Sequence, residues 1–408
     1  MPILRPDFDT IALVLQGGGA LGAYQAGVMQ GLDEVGLEPD WVAGISIGAI
    51  NAAIIAGNEP ARRVERLLEF WNTVSRPGIF PQNAAWIDRA LGPVGGGARQ
   101  HWNQWNSWRA LAEGQQGFYL PRGITPWLNL PQAPETTSFY DTSPLKATLE
   151  RLVDFDRIND GATRLTVSAV NVATGNFEIF DSHKGPYRKQ IGPEHVMASG
   201  ALPPGFPAIA VAEPLPHDRR GRPVPERAGD PPRAVHHYWD GGLVSNTPLV
   251  TVLEDEPRRD TLAFQVDLWS ALGELPRNVV DAQERAKDIQ FSSRTRAVTQ
   301  SLANEQRQRR LLRELLAKIP PAIRANDPGC IEAAQEACGR VVDVIHLIYQ
   351  QKEWDGLSKD YEFGQLTMRD HWASGLADIR RTLEHPHWLE KPRGDSGFVT
   401  HDVHRPKR

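Results

Sequence analysis

Two short apolar runs, each stopped by glycine, constrain this chain more than anything else in it. Ile11 to Gln16 (IALVLQ) ends on Gly17-Gly18-Gly19, and Asp40 to Ser46 (DWVAGIS) ends inside Gly44-Ile45-Ser46-Ile47-Gly48. Short apolar runs bounded by breakers read as strands buried on both faces. Between them Leu21, Tyr24, Val28, Leu32 and Val35 recur at spacings of three and four before Gly36, which predicts a helix. Ile47 to Ala56 is small and apolar enough for a buried helix closed by Gly57, and Pro60 opens another. A β-α-β-α opening of this kind predicts a parallel sheet covered by helices.

The same alternation continues with gaps. A helix is expected from Ser143 to Val153, then strands from Arg164 to Val172 and Asn176 to Asp181 joined at Gly175, and a short helix from Glu194 to Ser199. Pro214 to Arg233 reads as an exposed loop, HHYWDGG as a strand running into a turn, and Thr261 to Leu268 as the last strand of the sheet. Between about residues 78 and 135 the pattern fails. Gly and Pro abound there, with Trp86, Trp102, Trp105, Trp108 and Trp127. This stretch reads as an insertion: either an irregular flap whose indoles fill their own small core, or a lid facing substrate or a membrane. Beyond about Pro276 long helical patterns take over, with Val341 to Tyr349 as one further strand and Thr367 to Glu384 as a helix. The expected division is a catalytic domain over 1–275 and a mostly helical region over 276–408.

Composition sets limits on function. With 40% apolar and 23% charged residues in 408, a large core needs neither disulfide nor metal. The net charge of −5 argues against nucleic acid as a partner, because phosphate affinity comes from clustered Lys and Arg. Cys330 and Cys338 have no recognised metal-ligand spacing and are read as free thiols. No apolar run is long enough to span a bilayer, and the start lacks a secretory pattern, so a cytoplasmic location is expected, with peripheral membrane contact left open. The stretch carrying Arg294, Arg296, Arg307, Arg309, Arg310 and Arg313 reads as a solvated helix face with Glu305 and Glu314 as partners, or as a patch for anionic headgroups.

Three local patterns carry chemistry. Gly17-Gly18-Gly19-Ala20-Leu21-Gly22 formally matches a dinucleotide-binding loop, with Glu38 and Asp40 near the acidic position such a fold requires. The same geometry serves acyl transfer, since free N–H groups at a helix start can hold an oxyanion. Gly44-Ile45-Ser46-Ile47-Gly48, between a strand and a helix, has the context of a nucleophile elbow. Asp240-Gly241-Gly242 is by itself a turn, but a buried carboxyl group whose pKa rises could be the base a serine hydroxyl needs.

Taken in order, QGGGALGAYQAGVMQGL, GISIGAINAA and DGGLVSNTPL resemble the patatin-like phospholipase family, and the likeness extends through YDTSPLKATLERLVDF, LTVSAVNVATG and MASGALPPGFP. The resemblance implies a three-layer α/β sandwich with a mainly parallel central sheet, and a Ser-Asp dyad in which Ser46 is the nucleophile and Asp240 the base. It also implies an oxyanion loop at Gly17, Gly18 and Gly19, with the Gly18 and Gly19 amides as donors, supported by Gly22, Gly44, Gly48, Gly241 and Gly242. Cofactor and metal are absent from this scheme, and the substrate is a lipid or other acyl ester: phospholipid, lysophospholipid, acylglycerol or polyester. Leu21 stands where many relatives have Arg or Lys. His183, His195, His236 and His237 are not expected to take part. Two other classes remain open at this point, a catalytically silent lipid-binding or scaffold protein and a dinucleotide-dependent oxidoreductase.

Overall fold

The computed structural model describes residues 3–75, 97–128, 130–292, 295–392 and 397–404. A nine-stranded sheet forms its centre. We label its strands β1 (Thr10–Leu15), β2 (Trp41–Gly44), β3 (Arg164–Asn171), β4 (Phe177–Asp181), β5 (Ile209–Ala212), β6 (Val235–Asp240), β7 (Thr261–Asp267), β8 (Val342–Ile348) and β9 (Phe398–Asp402). Their order is β9-β8-β7-β1-β2-β3-β6-β5, with β4 also on β3. The six strands from β9 to β3 run parallel, while β4, β5 and β6 pair antiparallel.

Alternation along β1 sorts the two cores. Ile11, Leu13 and Leu15 point into one cluster with α1 (Ala23–Glu34), α2 (Ile47–Ala56), α3 (Arg63–Val74) and, later in the chain, Gln365–Leu383. Ala12 and Val14 point to the other face, under Leu249, Val252, Leu253 and Leu302. Side chains that alternate across a strand and are buried on both sides make the three-layer sandwich that the opening pattern predicts.

Three sequence expectations change. Thr261–Asp267 is not the last strand, because β8 and β9 extend the sheet beyond it. The region after residue 276 is therefore helical with two strands of the common sheet in it. The stretch from 97 onward is no irregular flap: Gly97–Glu113 is a helix, which we call α4. Its buried stripe is Arg99, Asn103, Ser107 and Ala110, at helical spacing but mostly polar, so hydrophobic periodicity could not reveal it. Third, its indoles do not fill a core of their own, since Trp105 and Trp108 are 51% and 59% exposed and stacked on each other. Trp86 and residues 78–96 of that expectation lie outside the described residues.

The longer of the other helices are α5 (Ser143–Leu152), α6 (Pro193–Ser199), α7 (Val279–Phe291), α8 (Thr295–Lys318), α9 (Pro328–Glu336) and α10 (Gln365–Leu383), with one- to two-turn helices at Phe155–Asp160, Leu249–Leu253 and Pro321–Arg324. Helices α1 and α10 cross at glycine. A methyl group on Gly27 would collide with the Trp372 carbonyl oxygen, and one on Gly375 with the Tyr24 carbonyl oxygen. Backbone cannot yield as a side-chain tip does. Gly375→Ala is expected to lower unfolding free energy by roughly 2–3 kcal/mol, read by urea denaturation; an unchanged midpoint would mean that the helices separate at no cost.

Candidate active site

The site begins where two strands meet end to end. Along one edge of β3, β2 pairs only as far as Gly44 opposite Val167, and β6, arriving from the opposite direction, ends with Asp240 opposite Ala169. β4 occupies the other edge of β3, so β2 and β6 share this one and their tips converge. Ser46 is two residues beyond the tip of β2, and Asp240 is the tip of β6. Their approach follows: the Ser46 hydroxyl and the Asp240 carboxylate line one cavity, close enough for the hydroxyl to favour the ionised carboxylate.

Ser46 turns the chain from strand to helix with φ 57° and ψ −126°, a conformation that costs about 1–3 kcal/mol for a residue with a side chain. The flanking glycines make the turn possible. A methyl group on Gly44 would strike the Gly48 carbonyl, and one on Gly48 the Leu15 carbonyl, so the elbow presses directly on its own helix and on β1. The Ser46 amide donates to the Ser199 carbonyl at 3.1 Å and the Asp240 amide to the Ala201 carbonyl at 3.0 Å. The turn after α6 thus ties nucleophile candidate and base candidate to one short segment, the MASGALPPGFP stretch of the sequence.

Asp240 is 2% exposed and accepts from the Gly242 amide at 2.7 Å. Burial raises its pKa to about 7, against the pull of the nearby Ser46 hydroxyl and the Gly242 amide, which favour the ionised form. A carboxyl group so placed exchanges its proton near neutral pH.

The glycine loop faces the same point. A methyl group on Gly17 would sit 2.9 Å from Ser46 Cβ and clash with Asn246 Oδ1. The Gly17 amide points to the Asn246 carbonyl at 3.4 Å, and its carbonyl accepts from Asn246 Nδ2 at 3.1 Å and Trp269 Nε1 at 2.9 Å. Of the three glycines it is therefore the anchor. The amides of Gly18 and Gly19 have no acceptor among the described residues, which leaves them for a ligand, whereas Ala20 donates to the Asp360 carbonyl at 2.7 Å. Gly19, at φ 55°, lies under that same carbonyl. Gly22 packs on Ile47 and Gly241 on the Ser168 carbonyl, both too closely for a side chain.

A cavity of about 320 Å³ opens over these groups. Phe118, Tyr119, Tyr140, Phe206 and Phe363 make its walls mostly aromatic, with Leu111 from α4 and Leu202 also lining it. Sequence reasoning missed Trp269, Phe291, Asp360 and Phe363, all of which reach the cavity from beyond the recognised motifs. Asp360 is held there by Lys287 at 2.5 Å. The only signal of Trp269, Phe291 and Phe363 was aromatic character, which core packing explains equally well, and Asp360 gave none.

The histidines lie elsewhere. His195 Nδ1 accepts from the Gly192 amide at 3.0 Å with its ring against Phe180 and Tyr187, His236 pairs with Glu213, His237 with Glu135, and His183 contacts Ser182. Leu21 is fully buried, so no charge at that position is needed to finish the turn. The described residues contain no cluster of His, Cys, Asp and Glu suited to a metal. No helix among them is long and apolar enough to cross a membrane.

A serine on a strained strand-to-helix turn, a buried carboxyl group beside it and open amides facing it thus come together at the carboxyl edge of an α/β sheet. A family model described as Patatin-like phospholipase matches residues 13–253, and a second, described as Patatin phospholipase, matches 289–395. The chain belongs to the patatin-like phospholipase family. Among curated proteins it is similar to Patatin-like phospholipase domain-containing protein 6 of Mus musculus, 43% identical over 63 residues, which is 15% of this chain and 5% of that protein. It is also similar to Lysophospholipase nte1 of Aspergillus terreus, 49% identical over 47 residues, 12% of this chain and 3% of that protein. The chain thus covers a small fraction of those relatives. Among solved structures, VipD from Legionella pneumophila aligns over 94% of this chain and 71% of its own at 14% identity and a TM-score of 0.36. Human GIVD cytosolic phospholipase A2 aligns over 93% and 60% at 12% identity and a TM-score of 0.33. The fold stands on its own strand order, and such distant likenesses add nothing to it.

Proposed function

We propose that this protein hydrolyses acyl esters of lipids, of the phospholipase A, lysophospholipase or acylglycerol lipase type, through an acyl-enzyme on Ser46. The observation that carries this reading is the convergence of the Ser46 hydroxyl on a buried Asp240 whose pKa is raised by burial to about 7. Asp240 takes the Ser46 proton as Oγ attacks the ester carbonyl, and the Gly18 and Gly19 amides receive the charge that grows on the carbonyl oxygen. The proton passes to the leaving alcohol, and water then releases the fatty acid by the same steps reversed. The aromatic cavity suits an acyl chain, since it offers apolar contact and few competing polar groups. Release of free fatty acid from lipid esters by the purified protein tests the reading. A folded protein that hydrolyses no acyl ester would instead be a silent binding or scaffold member of the family.

The base has a pH signature. Asp240 must be ionised to accept a proton, so kcat/KM is expected to rise about tenfold per unit up to pH 7 and level off above. His183→Ala, His236→Ala and His237→Ala should keep both the rate and that limb; a limb that vanished with one of them would make histidine the base.

Peripheral membrane contact forms part of the same proposal. Helix α4 docks by its polar side: Asn103 Nδ2 donates to the Trp354 carbonyl at 3.3 Å, Ser107 bonds Ser358 at 2.9 Å, and Arg99 pairs with Asp370. Trp105 and Trp108 are left outward, Trp108 one helical turn from Leu111 at the cavity. Trp prefers the boundary between water and apolar chains. Replacing Trp105 and Trp108 with Ser should slow hydrolysis of vesicle lipid severalfold and leave a short-chain soluble ester unaffected; equal effects on both would assign the indoles a folding role.

A further inference from the structure

A second cavity, of about 680 Å³, lies at the opposite edge of the sheet. Its lining includes Asp9, which precedes β1, Asp260, which precedes β7, and Arg340, which precedes β8. These are the amino ends of three adjacent parallel strands, whereas Ser46 and the glycine loop follow carboxyl ends. At 3.3 Å per residue, the six residues of β1 separate the two sites by about 20 Å.

Four arginines line this cavity: Arg258, Arg313, Arg324 and Arg340. Its carboxylates are already engaged. Asp260 accepts from the Val341 amide at 2.8 Å and pairs with Lys391 at 2.9 Å, and Asp9 accepts from the Asp260 amide at 3.0 Å. Arg258 pairs with Glu256 and Glu336. The other three arginines have no carboxylate partner among the described residues. Arg324 donates only to the Leu316 carbonyl at 3.3 Å, and the Arg313 guanidinium lies against Gly339, where any side chain would collide with it.

Arg340 decides the matter. It is 8% exposed, and only its Nε is bonded, to Gln306 Oε1 at 3.3 Å. A cation nine-tenths withdrawn from water, beside other cations and with no carboxylate in contact, is costly to keep. Burial lowers its proton affinity from the ordinary guanidinium value, with Arg309 and Arg258 adding to the shift and Cys338 and Glu256 opposing it. An anion in the cavity reverses each of these terms. Several guanidinium forks converging on one space match the oxygens of phosphate groups, and more than one phosphate is needed to balance three unpaired cations.

We propose that this cavity binds a ligand carrying two or more phosphate charges, either a soluble polyphosphorylated compound or a phosphorylated lipid headgroup. The site is separate from Ser46 and does not depend on the ester-hydrolase reading.

Inorganic pyrophosphate is the first probe, titrated calorimetrically into the full chain at low ionic strength. Saturable binding is expected. Arg313→Gln and Arg324→Gln, both accessible positions whose substitution should preserve the circular dichroism spectrum, are each expected to weaken it about tenfold, the loss of one charge-assisted contact. Arg340→Lys, which keeps the charge but loses the fork, should weaken it as well. The second probe is a phosphatidylcholine vesicle with or without phosphatidylinositol 4-phosphate. Pelleting that requires the phosphorylated lipid and is competed by pyrophosphate assigns a headgroup; pyrophosphate binding without pelleting assigns a soluble ligand. The proposal is overturned if neither probe binds saturably, or if binding is unchanged in the Arg313→Gln/Arg324→Gln double variant. Ester hydrolysis should persist in that variant.

Discussion

Asp240→Asn is expected to yield a protein that is nearly inactive and, above neutral pH, more stable than the wild type. The loss of activity follows from removing the base: a positioned general base contributes about 10² to 10⁴ in rate, so turnover should fall by roughly a thousandfold. The gain in stability follows from linkage. The folded-state pKa of Asp240 is about 7 and its ordinary value 3.8, so the folded protein holds this proton more tightly than the unfolded chain does. Stability is therefore lost as pH rises from about 4 to 7, and the full penalty is present above 7. Asparagine keeps the acceptor for the Gly242 amide and never ionises. Relative to wild type, the variant should gain little near pH 4 and on the order of 2–4 kcal/mol at pH 8, measured by urea denaturation at both. An equal difference at the two pH values would mean that Asp240 carries no buried charge.

Ser46→Ala has the largest expected effect on catalysis. Without the hydroxyl no acyl-enzyme can form, and fatty-acid release should fall by on the order of 10⁴ to 10⁶, to whatever the glycine amides and the cavity provide by binding alone. The fold should persist, because Ala fits the same space and suffers the same strained turn. Ser46→Gly should be equally inactive yet more stable by about 1 kcal/mol, since glycine adopts the turn without penalty. Residual hydrolysis at wild-type rate in Ser46→Ala would remove the nucleophile from the account.

The parts of this site that were legible in the sequence are those encoded within a few residues. Gly44 and Gly48 mark the elbow because a turn pressed against backbone tolerates no side chain, and the glycine triplet after β1 marks the loop for a similar reason. Ser46 could thus be singled out from its neighbours alone. The reach of Asp240 could not, because it depends on β2 and β6 meeting head to head on β3. Strand order and direction are set by packing across the whole sheet, and DGG by itself is only a turn. Resemblance to a family linked the two residues before the topology gave the physical reason.

Other features were hidden for different causes. α4 buries Arg99, Asn103 and Ser107 and exposes Trp105 and Trp108, the reverse of the pattern that identifies a surface helix. β9 is five residues long with His and Asp at its end, too short and polar to stand out. The contribution of Phe291, Asp360 and Phe363 to the cavity depends on the C-terminal half folding back over the glycine loop, a long-range event with no local signature. The arginine cavity is of the same kind. Arg258, Arg313, Arg324 and Arg340 are scattered along the chain and meet only because three strands begin side by side. Of the expected solvated face, the pairing of Arg309 with Glu305 at 2.5 Å is present, but the Arg309 side chain is mostly covered and Arg313 on the same helix turns to the cavity.

The most direct test of the central claim is reaction of the intact protein with a fluorophosphonate, followed by peptide mapping. One adduct on the peptide containing Ser46 is predicted, forming faster as pH rises through 7 and absent from Ser46→Ala and strongly slowed in Asp240→Asn. Labelling of another residue, or labelling at Ser46 that neither the Asp240 substitution nor pH affects, would contradict a hydroxyl activated by that carboxylate.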